Sequence, residues 1–436
     1  MAVKRGSHSY PPCILDEVHT TMDAATLDRT DPLAAFRDRF VITDPGVVYL
    51  DGNSLGRMPI QAEKALKDAI DHQWGDRLIR SWGEGWYDLP QRVGAKIGEL
   101  IGAQPGEVVC GDSTSVNFYK LVHAILSNRS PERTKIVTDN LNFPSDIYLL
   151  QGLAKQFPGV EIVVVESLDG IHVWPEQIQA VLDEKAALLT LSHCCYRSGF
   201  RHDMLTLTED AHSFGIPVLW DLSHSAGAVE VNLAECRVDY AVGCTYKYLN
   251  GGPGSPAYLY VRKDLQSEAS NPIWGWFGQS RPFDFSLEYE PAEGLDRMLA
   301  GTPPVLSMIA VEAGVDLLLE AGMDRLAEKS RQMFGFLFDQ WESDLADLGV
   351  GFGSPVLDGL HGSHALLTHP NAYAIDQALI HNHHVIPDFR APDGIRFGFA
   401  PLYTTFTEVE RAVTAVKKIL ESGEWREFEG EIGGVT

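Results

Sequence analysis

The stretch AVGCTYKYLNGGPGSP (241–256) decides how this chain is read. An apolar, β-type run leads into Tyr246–Lys247–Tyr248, and a glycine-rich loop follows. A strand buried on both faces usually ends in turn residues, not in an amine flanked by aromatics. Desolvation disfavours an ammonium, lowers its pKa and leaves a nucleophilic amine. Such an amine can form a Schiff base with an aldehyde. Taken alone, the segment reads more readily as a surface lysine at a strand end.

A second segment shifts that balance. GIPVLWDLSHSAGA (215–228) is a short apolar run ending in Asp221, with His224 close behind and small residues that permit a tight turn. A carboxylate at the C-terminal end of an apolar strand sits where open α/β sheets bind ligands. The chain between Asp221 and Lys247 suffices for one loop or helix and a neighbouring strand. An acid for a pyridinium nitrogen and a lysine for an aldehyde are the two groups that pyridoxal phosphate (PLP) most needs.

The surrounding sequence supplies the frame. KIVTD (135–139), EIVVVE (161–166), ALLTLS (187–192), IPVLWD (216–221) and YAVGCT (240–245) are short apolar runs, several separated by helical patterns. That alternation indicates an α/β fold with a mostly parallel sheet covered by helices. GDSTSVNFYK (111–120) sets Asp112, Ser113, Thr114 and Ser115 ahead of a helix, where free N–H groups and the helix dipole make an anion site; the plain alternative is an ordinary N-cap. Cap, Ser192, Asp221 and Lys247 all lie near C-terminal ends of strands, which share one edge in a parallel sheet. Residues 23–40 suggest a helical pair broken near Asp31–Pro32, 271–304 a long ordered loop, and 306–346 a long helix or helix pair.

Bulk properties narrow the function. The 436 residues suit a large domain plus a smaller one. With 35 basic and 60 acidic residues the formal charge is −25, which argues against nucleic acid and anionic membranes as partners. The six cysteines show no metal-ligand spacing, and no signal-type or membrane-spanning apolar run is present, as suits a cytoplasmic protein. GNSLG (52–56) matches the nucleophile elbow of α/β-hydrolases, but too little chain precedes it for the strands that elbow requires; a turn near the site mouth is the better reading. HNHH (381–384) lacks an adjacent carboxylate and reads as a solvated helix end, not a metal site.

Eight motifs in order, VYLDGNSLG, DSTSVN, FPSD (143–146), DLSHSAGA, YKYLNGGPG, WFG (276–278), GTPP (301–304) and GIRFGFAPLY (394–403), carry a resemblance. Over roughly residues 20–420 the chain resembles the kynureninase family, PLP-dependent hydrolases of the class V aminotransferase group. The resemblance implies the PLP-dependent transferase (aspartate aminotransferase-like) fold. Its parts would be an N-terminal segment (1–45) packing with the small domain, a large PLP-binding domain (46–305) and a small α+β domain (306–436). It also implies cleavage of the Cβ–Cγ bond of L-kynurenine or 3-hydroxykynurenine, a step of tryptophan catabolism. DSTSVN and GTPP favour kynurenine itself.

By the same resemblance Lys247 would hold the cofactor as a Schiff base and Asp221 would pair with its pyridinium nitrogen. Phe143 would stack on the ring, and Thr114 and Ser115 would bind at or near its phosphate. Asp146, Ser192 and His224 would complete the pocket. Tyr246 would reach the phosphate and donate a proton. Trp276 and Thr302 would enter from the second subunit of a homodimer. Arg396 would clamp the substrate α-carboxylate; the lesser alternative, from its place at the start of the apolar run IRFGFA, is a structural salt bridge. An aminotransferase uses the same cofactor groups, and the family motifs decide against it. A cysteine desulfurase needs a mobile cysteine well after the lysine, and none follows Cys244.

Overall fold

In the computed structural model, which describes residues 23–430, the β-branched runs of the middle of the chain become strands and the periodic stretches between them become helices. The described chain starts with α1 (Ala24–Thr30), capped by Asp23, then a 3-10 turn (Ala34–Arg39) and β1 (Val48–Tyr49). Helix α2 (Ile60–Asp68) continues into a π-helical stretch, Ala69–Arg77; α3 (Leu89–Leu100) precedes β2 (Val108–Cys110). Next come α4 (Thr114–Asn128), β3 (Lys135–Asp139), α5 (Pro144–Gln156), β4 (Glu161–Val165), α6 (Pro175–Gln179) and β5 (Ala186–Ser192). They are followed by α7 (Met204–Ser213), β6 (Val218–Asp221), β7 (Tyr240–Gly243) and β8 (Tyr258–Val261). Beyond an irregular stretch with short 3-10 turns lie α8 (Val305–Ala321), α9 (Met323–Asp344), β9 (Gly351–Phe352) and β10 (His364–Thr368). The last elements are α10 (Ala372–His383), β11 (Val385–Ile386), β12 (Asp388–Arg390), β13 (Gly394–Gly398) and α11 (Phe406–Ser422).

The large sheet runs β2-β8-β7-β6-β5-β3-β4. Every pairing is parallel except those of β8, which runs against both neighbours. Strands β5 to β8 are buried along their whole length, which is why they read as unbroken apolar runs instead of alternating ones. Val93 and Ile97 of α3, Leu189, Trp220, and Val311 and Val315 of α8 belong to one core beneath this sheet.

The second sheet is antiparallel, β12-β13-β10-β9. Its core joins Phe397 to Ile375 and Leu379 of α10, Val409 and Val413 of α11, and Ala24 and Leu27 of α1. Asp28 of α1 caps α11 by accepting from the N–H groups of Phe406 and Thr407. A short parallel pair, β1 with β11, ties the chain ahead of the large sheet to the elements around the second sheet.

Of the long helix or helix pair expected over 306–346, the chain forms the pair, broken at Gly322 (φ 84°). The first of these, α8, packs on α2 and α3 and shares the large-sheet core. Of the expected N-terminal segment 1–45, residues 1–22 lie outside the described residues.

Candidate active site

The polar residues at the carboxyl ends of the large-sheet strands form one cluster. Asp139 ends β3, Ser192 ends β5 and Asp221 ends β6, and the register sets Ser192 directly beside Asp221. Lys247 follows β7, the next strand over. This is the edge where open parallel sheets bind ligands.

Lys247 Nζ lies 3.0 Å from His224 Nε2 and 5.8 Å from the centre of the Phe143 ring. Burial pushes the Lys247 amine below its usual range; the Arg396 and Arg390 charges add to this, while Cys244 and Asp221 oppose it. His224 is driven well below its usual value by burial and by the lysine. A neutral imidazole therefore accepts from the amine. Of the flanking tyrosines, Tyr248 does not create this environment. Tyr248 is turned away, its hydroxyl donating to Ser363 O at 2.9 Å, and the Cys244 thiol beside Tyr246, together with burial, pushes that phenol upward. The ring beside the amine is Phe143, from the start of α5.

Asp221 is buried and its Oδ1 accepts from Ser223 N (2.8 Å) and Ser223 Oγ (2.6 Å). Asp146, also buried, has an Oδ2 with no partner among the described residues. Burial, and then the Asp221 charge, raise the Asp146 carboxyl well above the carboxylate range. Buried carboxylates this short of donors call for a cation or an N–H group. A pyridinium nitrogen is such a group, and the lysine beside them suits an aldehyde.

An anion cradle lies at the start of α4. Ser113 Oγ accepts from Val116 N, and the N–H groups of Thr114 and Ser115 find no acceptor among the described residues. Ser115 Oγ meets Ser145 Oγ at 3.3 Å, so the N-termini of α4 and α5 converge. Asp112, just before, adopts the left-handed region (φ 52°) and is paired to buried Lys120, which also donates to Met298 O. Two helix dipoles and free N–H groups fit a phosphate. The donors present thus suit PLP at three points: ring nitrogen, aldehyde and phosphate.

Ser192 works at one remove. Its hydroxyl donates to Asn142 Oδ1 (2.6 Å), which also accepts from Phe143 N (2.8 Å), so Ser192 braces the turn that carries Phe143. Phe143 is exposed on one face and meets the edge of Tyr196.

Arg396 is only 1 % exposed. Its Nη2 donates to Ser54 Oγ (2.9 Å) and pairs with Asp388, and its Nη1 donates to Tyr196 O. With the Asn53 amide oxygen turned to the guanidinium, Nε donates to it at 2.7 Å. The anionic partner expected for a buried arginine is thus Asp388.

Trp276 Nε1 donates to Thr302 Oγ1 at 3.3 Å, and the Trp276 ring packs on Phe277 and Phe283. Among the described residues neither Trp276 nor Thr302 bonds to the Lys247 cluster of the same chain. At HNHH, His383 pairs with Glu424 and His381 stacks on Phe428.

Asn53, Asn142, Asp388, Arg390 and His364 were not singled out from the sequence. His364, fully buried with neither ring nitrogen bonded among the described residues, lies 5.6 Å from the His224 ring. For Asn53 the GNSLG turn was a signal; for the others none stands out, because each matters through a contact made across the fold.

Comparison with known proteins bears on this arrangement. Residues 48–344 match the class-V aminotransferase family, and residues 326–416 match the kynureninase C-terminal domain. The kynureninase of Pseudomonas fluorescens is 42 % identical over 418 residues, covering 95 % of this chain and 98 % of its own. That of Burkholderia pseudomallei (strain K96243) is 41 % identical over 412 residues, covering 93 % and 97 %. Among solved structures, an apo cysteine desulfurase from Thermococcus onnurineus NA1 superposes with a TM-score of 0.75 at 21 % identity, covering 92 % of this chain and 99 % of its own. A C-DES variant with glycine covalently linked to its PLP cofactor does so with a TM-score of 0.75 at 18 % identity, covering 87 % and 98 %. These last two establish the fold alone.

Proposed function

Because the chain belongs to the kynureninase family, PLP-dependent hydrolases of carbon–carbon bonds built on the class V aminotransferase fold, we propose that its strand-edge cleft converts L-kynurenine and water to anthranilate and L-alanine. The observation that carries this is the buried Lys247–His224 pair beside the buried carboxylates Asp221 and Asp146, the latter with an Oδ2 that has no partner among the described residues.

Lys247 is the residue that holds PLP. Asp221 takes the pyridinium N–H, with Asp146 behind it. Phe143, braced by Ser192 through Asn142, covers the ring, and Thr114 and Ser115 take the phosphate. When bound, PLP supplies an electron-poor ring that stabilises negative charge on substrate carbons next to the amine. Once free, Lys247 Nζ takes the substrate α-proton, a role suited to an amine whose pKa burial pushes down from its usual range. His224 orients that nitrogen by accepting from it. Arg396 fixes the α-carboxylate. Tyr246, whose phenol is held protonated beside Cys244, gives a proton to the carbon that leaves as the methyl group of alanine. The residue set favours kynurenine over 3-hydroxykynurenine, following the DSTSVN and GTPP motifs. Trp276 and Thr302 complete the site of the other subunit in a homodimer. The cytoplasm suits the cysteines, five of which are free among the described residues. No helix among those residues is long and apolar enough to cross a membrane.

The test is to incubate PLP-loaded protein with L-kynurenine and measure fluorescent anthranilate together with alanine. Both should form in equal amounts, and Lys247→Ala should lose both the turnover and the borohydride-reducible chromophore. Intact cofactor with neither product would sink the assignment.

A further inference from the structure

Arg396 is already engaged. Its guanidinium is bonded by Asp388, Ser54, Tyr196 O and Asn53, which leaves little of the fork for an incoming carboxylate. A second cation stands beside it. In the β12–β13 ladder Asp388 is opposite Arg396, and Arg390 is two residues further along β12. Directly opposed residues, and residues two apart on a strand, project from the same face. Asp388, Arg390 and Arg396 therefore share the sheet face that meets Ser54 and Tyr196. The residue opposite Arg390 is Gly394, so no cross-strand side chain crowds it.

The charge count on this face does not close. Asp388 Oδ2 serves both arginines, with Arg390 Nη2 at 2.7 Å, so two guanidiniums share one carboxylate. The other acids nearby are Asp51, which burial followed by the Asp388 charge pushes up to about 7, and Asp376, which burial also pushes up to about 7, so they offset only part of the excess. The remaining contacts of Arg390 are long, Nη1 to Phe389 O at 3.3 Å and Nη2 to Ser54 Oγ at 3.4 Å, and its Nε has no partner among the described residues. Unlike Arg396, Arg390 retains some exposure. This face is tied to the Lys247 cluster through Tyr196, whose carbonyl accepts from Arg396 Nη1 and whose ring meets Phe143, the ring beside the amine; the charges of both arginines also push Lys247 and His224 downward. A buried cationic excess with an open donor is relieved by an anion.

The geometry points to Arg390 as a second substrate-binding residue, which takes the α-carboxylate together with Arg396 while Asp388 holds both guanidiniums in place. This rests on the reaction proposed above for its substrate, but not for the carboxylate site itself. Arg396 is the fixed wall of that site and Arg390 the cation that supplies the unspent donors.

The experiment uses the PLP-loaded enzyme as wild type, Arg390→Gln and Arg390→Lys. It measures L-kynurenine kinetics, and the affinities for L-alanine and L-alaninamide from the change in cofactor absorbance. Alaninamide lacks the carboxylate. Loss of a charge-assisted contact should raise KM for Arg390→Gln by roughly tenfold to a hundredfold with kcat little changed. The same variant should lose the preference for alanine over alaninamide by a like factor, and Arg390→Lys should recover part of both. Equal weakening of alanine and alaninamide would mean that Arg390 is only structural and would overturn the inference, as would an unchanged preference. If the wild type leaves kynurenine intact but Arg390→Gln still narrows the preference, the carboxylate site stands and the proposed reaction falls.

Discussion

At the scale of single residues, the small domain carries a buried acid without a counter-charge. Asp376 on α10 is fully buried, its Oδ1 has no partner among the described residues, and its Oδ2 accepts only from Gln377. Burial pushes its carboxyl up to about 7, with Asp388 adding to this and Arg390 opposing it. The unfolded value is about 3.9. The folded state therefore binds a proton more tightly, and its stabilisation is complete below about pH 4 and is lost as pH rises through about 7. Asparagine mimics the protonated carboxyl. Asp376→Asn should thus gain stability over wild type progressively from pH 5 to pH 7 and level off above, as read from denaturant midpoints; a constant offset across that range would refute the account. At this scale the sequence was legible where chemistry sits at a strand end. Asp221, Ser192 and Lys247 each follow an apolar run, and the sheet brings them to one edge. The reason first given for a desolvated Lys247 was less sound, since its neighbour Tyr248 is turned to Ser363 and Phe143, distant in sequence, stands by the amine. Asp388 was illegible because its meaning is its pairing with Arg396 across a ladder of very short strands.

At the scale of elements, the turn after β1 is pressed against the lysine loop. Gly56 N donates to Tyr246 O at 2.8 Å, and a Cβ at Gly56 would collide with Lys247 O and with Asn250. Gly56→Ala must therefore push the turn and the loop apart, an overpacking that typically costs about 1–3 kcal/mol. The expected outcome is a lower Tm and a weaker hold on PLP, measured by dialysis of the holoenzyme; unchanged cofactor retention would show that the loop can shift freely. Of the five mid-chain strands, β3, β5, β6 and β7 were readable because burial on both faces demands continuous apolar residues, whereas β4 is a largely uncovered edge strand that is apolar all the same. The π-helical stretch at 69–77 was not, since it shares the composition of an ordinary helix end. Nor was the internal order of 271–304, where irregular backbone is held by bonds such as Asn271 Nδ2 to Arg297 O instead of by any periodicity.

At the scale of the whole molecule, the surface is unfinished. Trp274, Phe283, Phe285 and Leu287 on one loop, and Trp74, Leu78 and Ile79 around the π-helical stretch, are exposed. Exposed apolar side chains of this kind are what the homodimer proposed above would cover. If Trp276 serves the neighbouring subunit, mixing Lys247→Ala chains with Trp276→Ala chains should revive activity. Half the reassorted dimers would be hybrids with one intact site each, giving about a quarter of the native sites. Two inactive variants that stay inactive after verified exchange would place Trp276 in its own subunit's site. The seam between β1 and β11 has a different consequence. Val48–Tyr49 completes a pairing whose other half lies at Val385–Ile386, and Asp28 closes the end of α11. The C-terminal third is therefore not a cassette. A gene fragment starting at α9 would encode the four-stranded sheet but leave behind a strand and a cap encoded hundreds of bases upstream. Any shuffling event that moved it alone would deliver an open edge. Recombination at this boundary is penalised by a contact made near the start of the chain, which binds the two domains to a shared evolutionary history as firmly as the cleft binds them to a shared chemistry.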